Sequence, residues 1–227
     1  MARKKKTRKE LLKTPDEFLT LSGKALGLIT TYQKQISYAL CAVVAIAVII
    51  MGYRFFAQRA EANAFSMLDQ AQSKYEQLEE TSSANEAYSQ VSPDFQTILK
   101  KYGGNAGGKI ARVVYANISY NAGQYAEAIK LYEASLKGFE NDKLIYHLML
   151  SNLGYAYLMM DDERNAALYF EKAAAETDSL VREGALFNLG LIYQKLGETE
   201  KSRQTFQQIV TSYPNSVYGD IVREKLN

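Results

Sequence analysis

The stretch from Gln35 to Tyr53, QISYALCAVVAIAVIIMGY, holds nineteen residues without a charge between Lys34 and Arg54. At the helical rise it spans about 28 Å, close to the roughly 30 Å hydrocarbon thickness of a bilayer. A buried helix of a globular core usually keeps a polar edge, which this run lacks. A cleavable leader has a shorter apolar core followed closely by small residues, whereas Tyr53, Arg54, Phe55 and Phe56 follow here. A lipoprotein signal would place a small residue before Cys41, and Leu40 stands there. The expectation is an uncleaved membrane-spanning helix over residues 35–54.

Charge sets its direction. Residues 1–34 carry nine Lys/Arg against three Asp/Glu, and residues 35–227 carry 18 against 22. Short Lys/Arg-rich flanks stay in the cytoplasm. A single-pass protein of a bacterial inner membrane is therefore expected, with a cytoplasmic amino terminus and a periplasmic carboxyl-terminal domain. The acidic balance of that domain argues against nucleic-acid binding. Its lack of cysteine excludes a disulfide framework, so apolar packing must hold it.

Residues 1–13, with RKKKTRK, form a basic tail. Thr14-Pro15-Asp16-Glu17 combines an N-cap, a proline at the first helical position and a glutamate three residues after the cap. An amphipathic helix over 14–34 is expected, with Phe18, Leu21, Ala25, Leu28, Ile29 and Tyr32 on one face along the inner membrane surface. A helical continuation over 55–82 carries Phe65, Leu68, Ala71, Tyr75 and Leu78 at steps of three and four, and Thr81-Ser82-Ser83 ends it.

From residue 83 onward the chain repeats. An aromatic recurs at Phe95, Tyr132, Phe170 and Phe206, with Val91, Ala128, Ala166 and Ser202 four residues before each. The segment from Phe95 to Arg112 also aligns with that from Phe206 to Arg223. Leu153-Gly154-x-x-Tyr157 matches Leu189-Gly190-x-x-Tyr193, Tyr115-Ala116 precedes them by one unit, and turns are expected at Gly123, Asp161 and Gly197. Each unit is then two antiparallel helices, brought close by small residues and filled by aromatics. The pattern resembles the tetratricopeptide repeat, with a longer period, no Trp and a closing proline only at Pro214. The fold class expected for 83–227 is thus an all-α solenoid of about three and a half hairpins, closed by a capping helix over 217–226.

This resemblance implies a groove lined by the first helix of each hairpin. The positions facing it would be Val113, Asn117 and Tyr120, then Ser151, Tyr155 and Leu158, then Phe187, Leu191 and Gln194. Two arrangements are open: the groove is free, or residues 55–80 fold across it. Carboxylate-binding members use two Asn and several cations. Asn117 and Asn152 match the amides, but Val113, Gly184 and Asn188 stand where the cations would be. Extended apolar segments suit this face better.

Catalytic chemistry finds little footing. Gly103 to Lys109 has the spacing of a phosphate-binding loop, but Ile110 replaces the magnesium-binding hydroxyl and FQTILKKY before it is helical, not a strand. Its glycines read as a flexible link. His147 is the only histidine and reads as a surface or groove residue, so no metal or nucleophilic constellation can be assembled around it. Asp161, Asp162 and Glu163 read as helix caps. No enzyme activity, cofactor, metal or small-molecule substrate is expected.

The whole architecture resembles the ancillary Sec translocon subunits of bacterial inner membranes. The resemblance implies a protein-interaction adaptor near the secretion channel, contacting the translocon, exported chains or periplasmic chaperones. The alternatives are a scaffold of another envelope complex, for division or outer-membrane assembly, and a nucleotide-binding enzyme.

Overall fold

The computed structural model describes residue 23 and residues 26–226. The basic tail and most of the expected 14–34 helix lie outside these residues; 26–31 are helical. The chain divides into two compact units, Met1–Gln58 and Arg59–Asn227.

Helix α1, Gln33–Glu79, begins in the first unit. Its apolar part is wholly unburied, and length and composition suit it to cross a membrane. A signal sequence near the amino terminus would meet the same criterion. A core helix would be mostly buried, and this segment is not.

The second unit consists of helical hairpins. Residues 59–79 of α1 bury Ala64, Leu68, Ala71 and Tyr75, one stripe at helical spacing. The stripe passes through Ala64 where the sequence suggested Phe65, which is 41% exposed. A Cβ on Gly107 would stand 2.9 Å from the Ala64 Cβ, so the backbone of the next hairpin comes too close for a ring there. Ser83 then caps α2, Ala84–Tyr102, in a reciprocal box: its Oγ accepts from the Glu86 N–H, and its own N–H donates to the Glu86 carboxylate at 3.1 Å.

Three further hairpins follow: α3, Ala106–Asn121, with α4, Tyr125–Leu136; α5, Lys143–Leu158, with α6, Glu163–Ala174; and α7, Arg182–Lys195, with α8, Thr199–Ser212. Helix α9, Gly219–Leu226, closes the array. It starts two residues later than expected, and Tyr218 just before it stacks on Phe187 at 4.2 Å. Residues 59–79 supply the first helix of the first hairpin, so the described residues hold four hairpins where the repeat pattern alone suggested three and a half.

The repeat positions behave as their chemistry requires. Phe95, Tyr132, Phe170 and Phe206 are all buried, as are Val91, Ala128, Ala166 and Ser202. Gly123, Asp161 and Gly197 have φ values of 76°, 57° and 77°, the left-handed turn between paired helices. A Cβ on Gly154 would lie 2.8 Å from the Phe170 ring, and one on Gly190 2.5 Å from that of Phe206. The glycine makes the notch that the aromatic of the same hairpin fills.

The glycine-rich segment is not a flexible link. Gly107 and Gly108 are buried in the first turn of α3, where a Cβ on Gly108 would be 1.8 Å from the Tyr102 carbonyl oxygen. The Glu61 carboxylate accepts from the Gly107 N–H at 2.6 Å and from the Ala106 N–H at 3.1 Å. A protein anion thus occupies the helix N-terminus at which a phosphate would bind.

Candidate functional site

Successive first helices α3, α5 and α7 carry the nine positions picked from the sequence. The structure brings aromatic members of neighbouring helices together at Gly184 of α7: a Cβ there would stand 3.9 Å from the Tyr155 hydroxyl of α5 and 3.6 Å from that of Tyr218. Burial pushes both the Tyr120 and Tyr155 hydroxyls above the usual phenol range. Both therefore present neutral O–H groups at physiological pH.

The nine residues are not equally available. Asn117 and Gln194 are exposed; Val113, Tyr120, Tyr155, Leu158, Phe187 and Leu191 are half-buried; Ser151 is buried and offers no surface. Phe187 is held between Phe206 and Tyr218. Tyr155 meets the Phe170 ring edge-on at 5.1 Å, and its hydroxyl accepts from Asn188 Nδ2 at 3.0 Å. Tyr120 packs against Tyr125. What a partner meets is a row of ring edges and aliphatic side chains separated by amides.

The two amides suited to a carboxylate clamp are already engaged. Asn117 Oδ1 accepts from the Tyr132 hydroxyl at 2.7 Å and from Asn152 Nδ2 at 3.4 Å. They tie two hairpins together.

Residues 59–79 do not fold across this face. Lys74 of α1 donates to the Gln90 carbonyl and pairs with Asp94 at 2.7 Å, both on α2. The segment stands beside α3 and extends the face by one helix, leaving a cavity of about 220 Å³ lined by residues of α1 and α3, Asn117 among them.

Sequence reading missed the polar ties between hairpins. Tyr157 and Tyr169 stack at 5.4 Å, and both hydroxyls donate to Glu133 Oε1, at 3.2 and 3.0 Å. One unit later Tyr193 donates to Glu171. Glu133 and Glu171 each follow the buried aromatic of their unit by one residue, and that shared offset was the available signal. His147 was also misplaced: it is 9% exposed, with Nδ1 3.2 Å from the Ala173 carbonyl oxygen. The carbonyl can only accept, so Nδ1 carries the hydrogen. Asp162 is the cap it was read as, its carboxylate accepting from the Asn165 N–H at 3.1 Å.

Comparison with known proteins agrees with this geometry. A family model described as tetratricopeptide repeat matches residues 184–216, the α7–α8 hairpin with its closing turn. Photosystem I assembly protein Ycf3 of Synechococcus sp. (strain CC9311) is 36% identical over 97 residues, covering 42% of this chain and 54% of that protein. The human intraflagellar transport protein 88 homolog is 28% identical over 57% of this chain and 15% of its own length. The chain thus spans about half of the Ycf3 relative and a small part of the other. Among solved structures, a tetratricopeptide repeat protein from Parabacteroides merdae superposes with a TM-score of 0.57 at 16% identity, covering 71% of this chain and 59% of that one. BtubC (BKLC) from P. vanneervenii gives 0.50 at 14% identity, with 75% and 81% covered. None of these is named as a translocon subunit. Residues 59–226 form an all-helical tetratricopeptide-like solenoid.

Proposed function

We propose that this chain is a membrane-anchored, non-enzymatic adaptor that holds extended apolar segments of other proteins on the first-helix face of its repeats. The observation that carries this reading is the row of Tyr120, Tyr155, Leu158 and Leu191, partly accessible and flanked by amides on successive helices. Such a surface suits side chains of an unfolded or extended partner.

The uncovered apolar part of α1 supports anchoring, and the basic flank before it supports a periplasmic position for the repeats. Confinement at a membrane raises the effective concentration of weak partners. A station near the secretion channel, meeting exported chains or their chaperones, fits the resemblance to ancillary translocon subunits. The relative named as a photosystem I assembly protein favours a second reading, in which the adaptor holds subunits of a membrane complex during assembly.

Photocrosslinking in cells from positions 120, 155 and 191 tests both. Capture of channel subunits and exported chains supports the first reading, and capture confined to subunits of one membrane complex supports the second. Crosslinks only within the chain's own residues 55–80 would sink both. Protease added from outside should cut the repeats while protease on the cytoplasmic side leaves them whole; the reverse pattern overturns the periplasmic placement.

A further inference from the structure

The cavity between α1 and α3 has a chemistry different from the rest of the face. It is lined by Gln72, Tyr75, Glu76 and Glu79 of α1, and by Val114, Asn117, Ile118 and Asn121 of α3. Tyr75 is 7% exposed, and its buried hydroxyl has no hydrogen-bond partner. Glu79 and Asn121 stand beside that hydroxyl without completing a bond to it. A buried hydroxyl left without a partner is unfavourable, so its persistence needs a reason. Glu76 and Glu79 are exposed, and neither is ion-paired among the described residues, although Lys74 close by is committed to Asp94.

We propose that this cavity is a binding site for an arginine side chain of the partner segment, a proposal that rests on the adaptor reading above. The guanidinium is planar and carries five N–H donors with no acceptor. The cavity offers the complement: two carboxylates without cations and the side-chain oxygens of Gln72 and Asn121, and beside Glu79 the enclosed phenol oxygen of Tyr75, which the Glu79 carboxylate would uncover by turning to the guanidinium. Val114 and Ile118 supply an apolar wall for the methylene stem. A volume of about 220 Å³ takes one long side chain and excludes a helix. Arginine suits the site better than lysine, because its flat fork meets several acceptors at once where an ammonium acts as a point charge. The acidic balance of residues 35–227 adds a field of the right sign.

The test uses the full chain in detergent micelles and saturation-transfer NMR. The probes are Nα-acetyl-arginine methylamide and its citrulline counterpart, which keeps the shape and loses the charge. The arginine probe should receive about 10-fold more saturation than citrulline, a ratio expected when charged hydrogen bonds are lost. E76Q/E79Q should abolish that difference, whereas E140Q/E224Q, the same charge change at exposed positions elsewhere, should keep it. Tyr75→Phe should lower the arginine signal without lowering the melting temperature. Equal signals from the two probes, a difference that survives E76Q/E79Q, or an equal loss in E140Q/E224Q would each overturn the proposal. So would a Tyr75→Phe protein that melts earlier and binds unchanged, since the hydroxyl would then serve Glu79 alone. Arginine binding without any crosslink from position 155 would keep the cavity and remove the wider adaptor reading.

Discussion

Gly190 and Phe206 show how one missing methyl group fixes a hairpin. The ring would stand 2.5 Å from a Cβ at 190, a separation real Cβ atoms do not reach. Gly190→Ala must push the ring or spread α7 from α8, and is expected to destabilise by about 1–3 kcal/mol, the usual range for overpacking. Urea unfolding of the full chain measures it. Asp161 is a quieter case of the same economy: it takes the left-handed conformation without being glycine, as Asn and Asp do more readily than other residues. Such positions were legible in the sequence because their chemistry repeats with the unit. Ser151 was not: position along a helix gives its face, while its burial depends on how neighbouring hairpins close over it.

At the scale of the helices, the amino terminus of α3 is a built structure. Gly107 and Gly108 allow close approach, and Glu61 supplies the negative end that the exposed N–H groups and the helix dipole favour. Glu61→Ala should cost about 1 kcal/mol, as other lost N-terminal caps do. Faster hydrogen exchange at the Ala106 and Gly107 amides would localise the loss; unchanged exchange would show that water replaces the carboxylate at no cost. The sequence suggested a loose linker because glycine reports permissiveness, and the same residue serves a tight contact just as well. The partner that distinguishes the two cases, Glu61, lies 46 residues before Gly107 and outside any repeat. Long-range pairs of this kind leave no local pattern, and the Glu133 and Glu171 ties were recognisable only after the repeat phase was known.

For the molecule as a whole, tyrosine sets the response to alkali. Burial, with a smaller contribution from Glu79, pushes the Tyr75 hydroxyl up to about 12; burial and the neighbouring Tyr115 do the same for Tyr88. The unfolded chain ionises these phenols near the ordinary value of 10.0, and the folded chain holds their protons longer. Their contribution to stability is therefore complete below pH 10 and is lost as pH rises from 10 towards 12. Ultraviolet titration should show some phenols ionising only as the helical signal collapses; full ionisation with the fold intact would contradict the burial described for Tyr75.

The glycine notch also leaves a historical signature. In each of three units the small residue and the ring stand sixteen positions apart: Ala116 with Tyr132, Gly154 with Phe170, Gly190 with Phe206. Neither member can change freely while the other stays. Across descendants of this gene the two columns should drift as a couple, a glycine gaining a methyl group only in lineages whose aromatic has shrunk or shifted. Units that duplicated early would then carry matched pairs as heirlooms, and a hairpin transplanted without its own partner residue would be the first to be lost.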